Sequence, residues 1–140
     1  MAASLRVNIV FAADFRSVDQ ARGTLLVLCR GAFPLQQEAV SDFCMAANEA
    51  MNNAVEHSGC SLLEVELHAD DQSMTFRMSS DGERFDPTGS AAMPEPDELG
   101  ELPEGGYGLA LIQEFVDGMA YQYRDGKNVV TLVKNINKGV

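Results

Sequence analysis

The chain has no tryptophan, only three cysteines, and no apolar run that approaches the roughly 18 residues of a membrane-spanning helix. A transmembrane protein built from helices is therefore not expected. The start, MAASLRVNIVFAADF, lacks the basic opening, long apolar middle and small-residue cleavage site of a secretion signal, so the expectation is a protein that stays in the cytoplasm. Cys29, Cys44 and Cys60 are odd in number and include no CxxC pair, which argues for buried, reduced thiols rather than a disulfide framework or a sulfur-ligated zinc. Positive charge is the other scarcity. Ten basic residues face 21 acidic ones, a formal net charge of -11, so a polyanion would meet general repulsion and direct nucleic-acid binding is disfavoured. Between Arg30 and Arg77 there is no Lys or Arg at all, although eight carboxylates fall in that interval.

What is present is a globular composition, 46% apolar, in 140 residues, the size of a single domain spanning 1–140. LRVNIVFA alternates Leu5, Val7, Ile9 and Phe11 on one face, the pattern of a half-buried strand. Ser17 and Gln20 resemble a capping box for a helix that continues through Val18, Ala21, Leu25 and Leu28 towards Gly31. Pro34 is expected to open a second helix that reaches about His57 and stops at Gly59. LLEVELHA and SMTFRMSS read as two strands joined by a turn at Asp70 and Asp71. Residues 87–106 hold four of the five prolines, four glycines and five acids, and are a candidate lid loop. YGLALIQEFVDG then reads as a short helix, with Leu109, Ile112, Phe115 and Val116 on its apolar side. MAYQYRDGKNVVTLVK reads as a hairpin turning at Asp125 and Gly126.

Three stretches are candidates for chemistry. In NEAMNNAVEHS (48–58), helical spacing puts Glu49, Asn53 and His57 on one stripe, with Asn52 and Glu56 beside it. A solvated face is the ordinary explanation. However, each asparagine costs a helix about half a kcal/mol relative to alanine, and no cation lies one turn away to pair with Glu49. A carboxylate beside an amide oxygen is a hard-oxygen pair suited to Mg²⁺ and a polarised hydroxyl. The second stretch, SSDGERFDP (79–87), is either a plain Asp-Gly turn or a glycine that lets a ligand ring approach the backbone, with Phe85 as an apolar wall. The third, EGGYGLAL (104–111), leads glycines into a helix and could cradle phosphate or act as a hinge. The lysine and hydroxyl of a P-loop are missing.

The order of NEAMNNAVEHS, FDP, GGYGLALI and YRDGKNVVTLVK resembles the GHKL ATPase superfamily, and more closely its small anti-sigma regulatory serine kinases of the RsbW-like group, over essentially the whole chain. The resemblance implies an α/β sandwich (α+β, the Bergerat ATPase fold), in which helices cover one face of a mixed, mainly antiparallel sheet and ATP sits between the helices and the lid. Position by position, it implies Glu49 as the general base for a serine hydroxyl and Asn53 as the holder of Mg²⁺. Gly105, Gly106, Tyr107, Gly108 and Leu109 would form the phosphate turn, and Gly82 and Phe85, with Ser80 and Asp81, the adenine pocket. His57 receives no catalytic role; capping a helix-end carbonyl is its expected one.

The implied activity is Mg²⁺- and ATP-dependent phosphorylation of a STAS-type antagonist, with ADP as product and a sigma factor as the alternative partner; such kinases often dimerise. One departure stands out. Where the family places an aspartate that accepts from the adenine amino group, this chain has Ser80, with Asp81 one residue later and Arg84 in place of a small residue. That motivates a second reading, a non-catalytic partner-binding module whose nucleotide site has decayed. A third, the detached catalytic domain of a histidine kinase, lacks room for a dimerisation helix pair carrying a phosphoaccepting histidine.

Overall fold

The computed structural model describes residues 4–84 and 108–136. Strand β1 (Leu5–Ala12) leads into helices α1 (Phe15–Ala32) and α2 (Gln37–His57). Strands β2 (Leu62–Ala69) and β3 (Ser73–Ser80) follow, then α3 (Gly108–Phe115), β4 (Gly118–Arg124) and β5 (Lys127–Asn135). The sheet runs β1-β2-β3-β5-β4. All four pairings among the described residues are antiparallel, so the mixed sheet that was expected resolves into a fully antiparallel one. β2–β3 and β4–β5 are tight hairpins, and β1 returns to β2 through α1 and α2.

Strict alternation along β2 and β3 buries Leu63, Val65 and Leu67 together with Met74, Phe76 and Met78 on one face of the sheet. Against that face pack Val18, Ala21 and Leu25 of α1 and Phe43, Ala47, Ala50, Met51 and Ala54 of α2. Full burial of a large apolar side chain such as Phe76 or Leu67 stabilises the fold by about 1.5–3 kcal/mol. On the opposite face Arg6, Asn8, Glu66 and Arg77 meet water, which leaves a two-layer α+β sandwich with one wet side.

The punctuation differs from the sequence expectation in two places. α1 starts two residues before Ser17, because Asp14 is its N-cap: the carboxylate accepts from Ser17 N at 2.7 Å, and this bond holds the Asp14 carboxyl below its ordinary range. Pro34 does not open α2. It lies in a turn closed by Gln36 N donating to Phe33 O, and Gln37 Nε2 donates back to Phe33 O and Pro34 O, so the helix begins at Gln37. The other stops are as expected. Gly59 follows α2 with φ 64°, Asp70 Oδ1 accepts from Gln72 N and Ser73 N in the β2–β3 turn, and Asp125 and Gly126 take φ 55° and 76° as a type I′ turn requires. Cys29 and Cys44 are buried and meet between α1 and α2, where the contact with Cys44 and burial push the Cys29 thiol up; Cys60 is only half-buried. All three thiols are free.

Candidate active site

At the C-terminal end of α2, five elements, α2, β3, α3, β4 and β5, enclose a cavity. Ala50, Ala54, Met78, Ile112, Met119 and Val130 form its apolar walls, and Asn53, Ser58, Ser80 and Asn128 supply the polar groups. The walls close to about 10 Å³, room for about one water. Ser80 and Asn128 are direct cross-strand partners between β3 and β5, both on the inner face and only 2% and 3% exposed. Burying an unpaired polar group costs more than a hydrogen bond returns, so such a cluster needs a reason.

Two of the four are already committed. The Ser58 hydroxyl donates to Ala54 O at 2.7 Å. Asn128 is held on both sides of its amide: its Oδ1 accepts from the Tyr121 hydroxyl, and its Nδ2 donates to Glu83 O at 2.8 Å. The asparagine thereby ties the β3-end turn to the β4–β5 hairpin. Outside the cavity the Arg84 guanidinium stacks 5.8 Å from the centre of the Tyr123 ring, so the residue that departs from the family pattern points to β4.

Glu49 stands one helical turn before Asn53 on the same face of α2 and is half-buried. Burial first, and the Glu56 carboxylate second, push its carboxyl above the ordinary value. The asparagine stripe divides. Asn53 reaches the cavity, Asn52 is half-buried, and Asn48 Oδ1 is buried without a hydrogen-bond partner among the described residues. His57 is exposed, with Nε2 3.4 Å from the Glu56 carboxylate.

Asp81 and Gly82 both meet protein at the start of β2 and the end of α2. The Asp81 carboxylate is not brought into the cavity. It accepts from the Ser61 hydroxyl, from Leu62 N at 3.1 Å and from Ser61 N at 2.9 Å, and these bonds lower its pKa to about 2. Ser80 ends β3 facing inward, and the next residue leaves the strand with its carboxylate at the start of β2. Gly82, with φ 107°, lets the chain pass close to the end of α2. A Cβ there would lie 2.3 Å from Ser58 O, the same carbonyl that accepts from Glu83 N at 2.9 Å. Gly108 and Leu109 fall in the first turn of α3, while Phe85, Gly105, Gly106 and Tyr107, and the 87–106 lid, lie outside the described residues.

Sequence reasoning missed Ser58, Asn128 and Tyr121. Asn128 carried a signal, since it is a polar residue at an inward position of a strand that also turns Val130 and Leu132 inward; Ser58 carried none, because a serine after a helix is commonplace. A buried ion pair was also missed: Lys134 of β5, with a side chain 11% exposed, lies 3.7 Å from Asp42 of α2.

The chain is similar to known proteins in sequence and in fold. A family model described as the histidine kinase-like ATPase domain matches residues 11–134. The serine/threonine-protein kinase BtrW of Bordetella bronchiseptica is 30% identical over 95 residues, 65% of this chain and 67% of that protein. The serine-protein kinase RsbW of Listeria innocua is 33% identical over 109 residues, 72% of this chain and 69% of its own. A crystal structure of the RsbU and RsbW domains of a Mycobacterium tuberculosis protein superimposes with a TM-score of 0.61 at 17% identity, covering 93% of this chain but 32% of that longer one, and so shares the fold. With the antiparallel sheet, the α2 carboxylate–amide pair and the strand-end cavity, these matches establish that the chain belongs to the histidine kinase-like ATPase domain family, in its RsbW-like serine kinase group.

Proposed function

We propose that this chain is a serine protein kinase that works as an anti-sigma-type switch, transferring the γ-phosphate of ATP to a serine of a small STAS-type antagonist, with a sigma factor as the competing partner. The observation that carries the reading is the meeting of Asn53 and Ser80 in one buried cavity, with Glu49 one turn away on the same face of α2. The base would enter between Ser80 and the α3 wall. The walls close to about 10 Å³, so admitting a purine requires that wall, which carries Ile112, to move outward.

The donor chemistry fits Mg²⁺. Asn53 and Glu49 offer hard oxygens from one helix face, and no cluster of three or more His, Cys, Asp or Glu able to hold a metal occurs among the described residues. That is the kind of site Mg²⁺ takes when phosphate oxygens and water complete its shell. When bound, it would offset phosphate charge in a chain of net charge -11. Asn53 would hold it, and Glu49 would take the proton of the incoming serine hydroxyl as its oxygen bonds to phosphorus and ADP departs. The raised Glu49 carboxyl strengthens it as a base, and the same shift sets the acid limb: transfer should fall as pH drops through a value above 4.5.

The test is phosphate transfer from ATP to a purified STAS-type antagonist, measured for wild type and Glu49→Gln. Transfer by wild type and its loss in the variant support the reading, whereas equal rates remove Glu49 from the role of base. The second reading, a partner-binding module without catalysis, draws on Ser80 in place of a carboxylate and on the closed cavity. It requires partner binding with the same affinity with and without nucleotide.

A further inference from the structure

We infer that Ser80 makes this a site of relaxed base selectivity, one that takes 6-oxo purine nucleotides nearly as well as 6-amino ones. The inference rests on the nucleotide reading above. It starts from the chemistry of the cavity's polar groups, all of which are neutral: Asn53, Ser58, Ser80 and Asn128. No carboxylate lines the cavity among the described residues. The one carboxylate close by in sequence, Asp81, is fixed on Ser61 and Leu62 by three hydrogen bonds.

The edges of the two purine types are opposite in polarity. A 6-amino purine presents a donor at position 6 and an acceptor at position 1; a 6-oxo purine presents an acceptor and then a donor. An ionised carboxylate only accepts, so it pairs with the amino group and repels the oxo group. A serine hydroxyl has one hydrogen to donate and two lone pairs to accept with, and it rotates to suit either edge. Ser80 is the group with that freedom. Asn128 is fixed by Tyr121 and Glu83, and Ser58 has directed its hydrogen to Ala54 O. The Ser58 oxygen, left as an acceptor, retains a preference for an amino group, and a neutral hydrogen bond of that kind is worth up to about tenfold in affinity. Charge-assisted acceptance would be worth more, roughly ten- to a hundredfold.

The experiment measures dissociation constants of ATP, ITP and GTP for the wild-type chain by calorimetry with Mg²⁺ present, and repeats them for Ser80→Asp and Ser80→Ala. ITP differs from ATP at positions 6 and 1 alone; GTP adds an amino group at position 2. Expected for wild type is an ITP-to-ATP ratio within about tenfold, widened roughly ten- to a hundredfold by Ser80→Asp and left small by Ser80→Ala. A wild-type ratio above about a hundredfold overturns the inference and leaves the kinase reading standing; this arm needs no variant, so an unstable Ser80→Asp protein does not blunt it. A ratio that Ser80→Asp leaves unchanged in a folded protein also overturns it. If none of the three nucleotides binds, the kinase reading falls and takes the inference with it.

Discussion

The inner face of the sheet buries polar side chains at both ends of α2, and the two ends are solved differently. Under the N-terminal half of the helix, Lys134 is covered by Asp42 at 3.7 Å, a charge with a partner, and neither of them lines the open cleft of about 600 Å³ at Phe33, Gln36, Ala69 and Ile136. Under the C-terminal half, Asn53, Ser58, Ser80 and Asn128 surround a cavity and none of them carries charge. A buried ion pair is a poor source of stability but a strict one, since removing one partner strands the other. Of the neutral groups around the small cavity, Ser58 and Asn128 are bonded within the protein, while Ser80 and Asn53 also line the space. The difference teaches where to look for function: the paired end satisfies its own charge, and the neutral end is where the proposed site lies.

That contrast can be broken at several points. The largest effect is expected from Glu49→Gln, which should cut phosphate transfer by about 10²–10⁴-fold in a kinase assay. Stability should move the other way. Glu49 has its folded pKa raised above 4.5, so the stability it contributes is present at low pH and lost as pH rises through the folded value. At neutral pH the Gln variant should therefore melt no lower than wild type, and a large fall in its melting temperature would mean that Glu49 is structural.

Gly82→Ala comes next, with an expected loss of about 3 kcal/mol in urea unfolding, because its positive φ and the Ser58 carbonyl both oppose a Cβ. A neutral outcome would separate the 81–84 turn from the end of α2. At the paired end, Asp42→Ala should cost about 2 kcal/mol by stranding Lys134, a figure reduced by the partial exposure of Asp42. Restoration of stability by the double change with Lys134→Met would show that the charge, and not the packing, was at stake.

Asp81→Asn should have the smallest effect, about 1 kcal/mol at neutral pH after allowance for solvent screening. Its folded pKa is depressed from 3.8 to about 2, so its contribution is present above the unfolded value and disappears as pH falls through about 2. Wild type and variant should converge in stability at that acid end. If nucleotide affinity, rather than stability, collapses in this variant, Asp81 belongs to the site after all.

Much of this was legible because local pattern and tertiary environment agree. Alternation gave β2 and β3 to the residue, since one face is wet and the other packed, and the Asp-Gly pair fixed the final hairpin. Helix starts were less legible. Asp14 and Ser17 are both acceptable caps, and the choice depends on where β1 releases the chain; Pro34 was overruled by the Gln37 side chain turning back on two carbonyls. In the site, Glu49 and Asn53 were visible as a costly stripe on a helix. The role of Gly82 was not, because what it approaches is Ser58, twenty-four positions earlier in the chain, and the role of Asn128 waited on the register that sets it opposite Ser80. Contacts between distant segments are where a single sequence is silent.

The most direct test is calorimetric titration of the wild-type chain and Asn53→Ala with ATP and Mg²⁺. Saturable binding by wild type, weakened at least about tenfold in a variant that melts normally, is the expected result. Undetectable binding at millimolar nucleotide, or equal affinity in the two proteins, would contradict the assignment of this cavity as the nucleotide site.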